Sequence, residues 1–137
     1  MRMASLHYTI CGLEYVYLQD APVRRTAYGH VLDADIRALE QEIASEIVRQ
    51  GIPIRGAEVH FLRKVLGLSM DRFGRLLSLS GPAILKWERA RIKRLEPVNE
   101  VAVRALMAEQ LGIALKGEFT VLKGSSQTPT RLLLKVA

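Results

Sequence analysis

EVHFLRKVLGLSMDRFGRLLSLSGPAILKWE, residues 58–88, decides the fold of this chain. Ser69 and Ser80 each follow a leucine and open an apolar-periodic run. Each reads as a helix N-cap whose hydroxyl accepts from an orphan N–H of the first turn. The eleven-residue interval between the two serines fits one short helix plus a tight turn. It leaves Leu68, Phe73, Leu76, Leu77, Leu79, Ile84 and Trp87 for one small core. The stretch therefore predicts three short helices built around a helix-turn-helix, with DNA as the expected partner.

Outward from this stretch, the chain punctuates itself. Residues 51–56, Gly-Ile-Pro-Ile-Arg-Gly, form a break where a domain boundary is expected. Upstream, Ile36, Leu39, Ile43 and Ile47 follow a helical period from Asp33 or Asp35 to a closing glycine at Gly51. Further upstream the period is two. Leu6, Tyr8 and Ile10, then Leu13, Tyr15 and Tyr17, predict two short strands, with turns at Cys11-Gly12 and Asp20-Ala21-Pro22, and Val23–Val31 a third. Downstream, Pro97 opens a helix whose apolar stripe is Val98, Val101, Ala105, Leu106 and Met107, ending at Gly112. Glu118–Leu122 and Arg131–Val136 read as two strands around a polar turn. Three placements stay open for this tail: pairing with the N-terminal strands, extending a dimer sheet, or partial disorder. The expected divisions are 1–53, a small β-rich unit plus long amphipathic helix forming a dimerisation or partner surface; 54–113, the DNA-binding unit; and 114–137, a C-terminal extension with a β-hairpin.

A chain of 137 residues is long enough for a true core, since folding at this size hides roughly two-thirds of the unfolded surface. With 49% hydrophobic and 25% charged residues it has an ordinary globular composition. The net charge of +6 and sequence pI near 9.8 favour polyanionic partners. Its apolar runs are too short to span a bilayer, and no signal-peptide pattern opens it, so no membrane partner and a cytoplasmic location are expected. Cys11 is the only cysteine, which excludes an internal disulfide and a multi-thiolate zinc site. His7, Cys11, His30 and His60 match no standard zinc spacing, so neither metal nor cofactor is expected. Ser69 and Ser80 lack a glycine elbow and local activating partners, and no Gly-rich phosphate loop occurs, so no enzymatic activity is expected. Tyr8, Tyr15 and Tyr17 are assigned to packing on the 35–50 helix rather than to a stacking platform.

A helix-turn-helix needs a small residue where its two helices approach, and Gly74 stands there. With Ser80 as cap, Ile84 and Trp87 point inward, while Gly81, Pro82, Leu85, Lys86 and Arg89 are left outward. Residues 56–112 resemble the Cro/λ-repressor-like (XRE-type) helix-turn-helix regulators. The resemblance rests on FLRKVLGLS, the small-residue position in RFGRLL, and the LS…ILKWERA run with its Trp87-Glu88 pair. It implies an Arg63–Glu88 salt bridge, and at Met70 a position usually filled by a glutamine that contacts phosphate or base. The order of a strand-rich unit with a Cys-Gly step, a linking helix and a helix-turn-helix is similar to MqsA-type antitoxin regulators. Their N-terminal unit binds zinc through cysteine pairs and a toxin through its surface; with Cys11 alone, a metal-free relative is implied. The expected fold is α+β, an all-α λ-repressor-like bundle after a small strand-rich unit and linking helix.

The DNA-facing candidates are Ser80, Pro82, Ala83, Leu85, Lys86, Arg89, Arg91, Lys93, Met70 and Arg72. Gly81, Pro82 and Ala83 have no side chain that can hydrogen-bond a base. Lys86 can donate to guanine, and Leu85 or Ala83 can touch a thymine methyl. Lys86, Arg89, Arg91, Lys93 and Arg94 are assigned to phosphates, with Arg72 and Arg75 on the preceding helix. The expected function is a DNA-binding transcriptional regulator acting as a homodimer. The alternative is an antitoxin-like interaction module, with a toxin or other protein as partner and DNA binding secondary.

Overall fold

The computed structural model describes residues 2–136 and has a mixed α and β architecture, with helices predominating and one small sheet. The chain forms two compact units, one from the residues up to Ile43 together with those from Pro129, the other Ala44–Thr128. The division falls inside a helix, not at the Gly51–Gly56 punctuation.

The first unit is a four-stranded sheet organised on one long strand. β1 (Arg2–His7) and β3 (Gly29–Leu32) pair antiparallel with β2 (Val16–Thr26), and β4 (Leu132–Lys135) pairs parallel with it. The C-terminal tail thus adds a strand to the N-terminal sheet. Val16, Leu18, Ala21 and Val23 are buried along β2, so the inward period of two slips by one between Leu18 and Ala21. Asp20, at φ 54°, sits in that slip, opposite a register shift between Ala4 and Leu6. The bulge keeps one face apolar from Val16 to Val23. It also corrects the expected turn at Asp20-Ala21-Pro22, which lies within the strand. Residues 8–15 form the loop between β1 and β2 instead of strand, with Gly12 at φ 81°. The third expected strand, Val23–Val31, is a hairpin: the end of β2, a turn at Ala27-Tyr28, and β3.

Tyr8 and Tyr15 are buried, and the Tyr8 hydroxyl donates to Glu40 Oε2 at 3.1 Å, which fastens the loop to the following helix. Tyr17 is only half-buried: its ring stacks on His7 at 4.2 Å, with the Arg131 guanidinium 4.5 Å from its centroid. That helix, α1 (Ile36–Arg49), is capped by Asp35 Oδ1, which accepts from Ala38 N at 3.2 Å. It closes at Gly51, φ 64°, where Ile52 N reaches Ile47 O at 3.1 Å. Leu39, Ile43 and Ile47 are buried as the periodicity requires; Ile36 is exposed.

The second unit contains α2 (Gly56–Val65), α3 (Met70–Leu76), α4 (Gly81–Arg89), α5 (Pro97–Leu111) and α6 (Phe119–Lys123). Ile54, Val59, Leu62, Phe73, Ile84, Val103 and Met107 form its core. Leu76 and Leu79, expected inside, are exposed, and Trp87 is only half-buried. Residues 81, 84 and 88 are the buried positions of α4, and Trp87 lies one residue off that line. Glu118–Leu122, read as a strand, forms the N-cap and most of the helix α6, so the extension has no β-hairpin. Among the described residues no helix is long and apolar enough to cross a membrane.

Candidate functional site

Two serine caps set the helices of the site. Ser69 Oγ accepts from Arg72 N at 3.1 Å at the start of α3, and Ser80 Oγ accepts from Ala83 N at 3.2 Å at the start of α4. Pro82 sits in the first turn of α4, where a missing N–H costs nothing. Between the helices, Leu77 N and Leu79 N both donate to Gly74 O, at 2.9 and 2.8 Å, and Ser78 takes φ 59°. The turn is tight enough to dictate Gly74. A Cβ there would stand 2.7 Å from Leu79 O and 3.0 Å from Ser80 O.

Gly81 differs from its expected place. It is buried rather than outward, and a Cβ on it would meet Asp71 Oδ1 at 1.9 Å. The first turns of α3 and α4 are therefore neighbours at Asp71 and Gly81. Asp71 adds a negative charge at that end, a residue the candidate set omitted. Glycine is needed again at Gly56, where a Cβ would lie 2.1 Å from Trp87 O and 2.7 Å from Ala90 O. This lets the start of α2 approach the end of α4.

The same face of α2 holds α4 by charge. Arg63 Nε donates to Glu88 Oε2 at 2.7 Å and Nη2 to Oε1 at 2.9 Å, the bidentate bridge that the family resemblance implied. His60 Nδ1 lies 2.7 Å from Glu88 Oε1. Burial pushes the Glu88 carboxyl upward, but the hydrogen bonds from Arg63 and His60 more than offset this and hold it below the ordinary carboxylate value.

The segment after α4 is strapped rather than loose. Gly56 N donates to Lys93 O at 3.3 Å, Ala57 N to Arg91 O at 3.0 Å and Leu95 N to Ile54 O at 2.9 Å. Arg91 and Lys93 are consequently exposed side chains on a fixed backbone. On α4, Ser80, Pro82, Lys86 and Arg89 are exposed, Ala83 and Leu85 half-buried; on α3, Arg72 is exposed and Met70 half-buried. Helical spacing puts Pro82, Lys86 and Arg89 on one face. Arg94 leaves the phosphate set: its Nε and Nη2 bind Glu100 at 2.7 and 2.9 Å, and Nη2 also donates to Lys123 O at 3.1 Å. A cavity between α4 and α5, lined in part by Lys86, Trp87 and Lys93, had no counterpart in the sequence reading. It is hidden there because helical spacing from Ile84 assigns Trp87 to the core, whereas the buried line of α4 runs through Gly81, Ile84 and Glu88.

Comparison with protein-family models, curated proteins and solved structures finds no match.

Proposed function

We propose that this chain is a cytoplasmic DNA-binding transcriptional regulator, engaging duplex DNA as a homodimer. In this reading α3, its turn and α4 form a λ-repressor-like helix-turn-helix, with α4 as the recognition helix. The observation that carries it is the exposed face of α4, with Lys86 and Arg89, running into Arg91 and Lys93 on a strapped backbone. A helix of this kind enters the major groove by its first turns, and flanking cations take up phosphates. Lys86 is the side chain that donates to bases, and Ala83 and Leu85 offer apolar contact to thymine methyls. No catalytic role is assigned.

Dimerisation doubles these contacts on a two-fold operator. A binding selection on random duplexes at two salt concentrations tests the reading. The expected product is a pseudo-palindrome whose half-sites lie about one helical turn, roughly 34–36 Å, apart, with affinity falling as salt rises. Enrichment of no motif, with binding set by charge alone, overturns it.

A second reading rests on a separate observation. Gly81, Pro82 and Ala83 supply no hydrogen-bonding side chain at the first turn of α4, while the sheet unit presents Tyr28 at 99% exposure and Leu133 at 51%. An antitoxin-like module that binds a toxin or another protein through that unit, with DNA binding secondary, accounts for both. A selection without a motif favours it.

A further inference from the structure

The cavity between α4 and α5 has a volume of about 210 Å³. Drug-sized ligands fill pockets of roughly 300–1,000 Å³, so this one suits a molecule of a single ring. Three features of its lining define the chemistry of that molecule. Trp87, the sole tryptophan, is half-buried, and together with buried Leu95 it makes the wall aromatic and apolar. Lys86 and Lys93, also lining the cavity, are exposed, and among the described residues neither ammonium group has an ion-pair or hydrogen-bond partner. With two lysines against the single carboxylate of Glu96, the lining favours an anion beside the tryptophan. Glu96, an acidic residue, supplies the third condition, because it lines the same space. It disfavours a second negative charge and accepts a hydrogen bond, as Asn99 also does.

The geometry points to this cavity as a binding site for a planar aromatic monocarboxylate that carries a hydrogen-bond donor away from its carboxylate. The ring lies against Trp87, the carboxylate takes the two lysines, and the donor meets Glu96 or Asn99. The site is built within one compact unit. It is read on the free protein and does not depend on the DNA-binding reading.

Because the chain has one tryptophan, its indole N–H gives a single reporter resonance. The full chain, labelled with nitrogen-15, is titrated with 4-hydroxybenzoate, with 4-hydroxybenzyl alcohol, which keeps ring and donor but not charge, and with inorganic phosphate, which keeps charge without the ring. The expected result is a saturable shift for 4-hydroxybenzoate and little response to the other two. Removing one charge-assisted contact in Lys93→Gln is expected to raise the midpoint about tenfold, while Lys64→Gln, an exposed lysine outside the cavity, leaves it unchanged. Four outcomes each overturn the proposal: no saturable shift, an equal shift with the alcohol, an equal shift with phosphate, or a midpoint that Lys93→Gln does not move. The phosphate outcome would make the cavity an anion seat only.

Discussion

Glu88 holds two partners from one helix turn of α2, because His60 and Arg63 are spaced to share a face. With its side chain 5% exposed, its charge is tolerated only through them. Its folded-state pKa lies below the ordinary value, so the stability it contributes is fully present above the unfolded value, about 4.3. That stability drains away as pH falls through the folded value. Acid below about pH 4.3 is thus expected to weaken the α2–α4 clamp. Glu88→Gln should cost about 3–5 kcal/mol at neutral pH and flatten the acid limb of a stability curve measured by urea midpoints. Parallel curves for parent and variant would assign the acid sensitivity to another group. The Arg63 contact was legible through the family resemblance. The His60 contact was legible only as a spacing, since nothing about an isolated histidine announces a carboxylate on another helix.

In α5 the sequence marks the ends better than the faces. Pro97 and Gly112 bound the helix, and Gly112 takes φ 68° as a left-handed C-terminal residue. The apolar stripe misplaces the inner face: Val98 is 71% exposed, while Glu100 and Arg104 are fully buried beside Val103 and Met107. Hydrophobic periodicity counts a charged pair as solvent-facing, yet this pair closes on itself at i and i+4, with Arg104 Nη1 3.0 Å from Glu100 Oε2. Burial pulls the Arg104 guanidinium below its ordinary pKa, against the hydrogen bond that it donates to Glu100. Arg104 also donates to Leu122 O at 2.6 Å and to Ile52 O. The bond to Leu122 O holds α6, whose β-branched residues read as a strand, in helical form against α5; tertiary contact overrides local preference. Arg104→Met should leave both carbonyls without this donor and one side of Glu100 uncovered, at about 3–5 kcal/mol. Hydrogen exchange should quicken first at Phe119–Lys123. Uniform loss of protection across the unit would instead make Arg104 a support of the core as a whole.

At the scale of the molecule, the sequence separates units less well than it separates elements. The division at Ile43 and Ala44 lies within α1, whose apolar stripe runs through it unbroken and carries no boundary signal. The glycines and proline of residues 51–56 mark instead the passage from α1 to α2. Charge, by contrast, is a whole-molecule property readable from composition, and the net +6 yields a prediction separable into two parts. Salt-dependent affinity counts phosphates neutralised, whereas preference among sequences counts base contacts. Lys86 and Arg89 share the exposed face of α4, but only Lys86 lies close to the glycine-proline-alanine turn that would approach base edges. Lys86→Ala is therefore expected to reduce the ratio of selected-duplex to scrambled-duplex affinity about tenfold. Arg89→Ala should weaken both duplexes alike and reduce the salt slope by about 1. Fluorescence anisotropy across a salt series measures both quantities on the same samples. If the two variants change the slope equally and leave the ratio untouched, Lys86 holds a phosphate, and the sequence preference must come from the shape and deformability of the duplex.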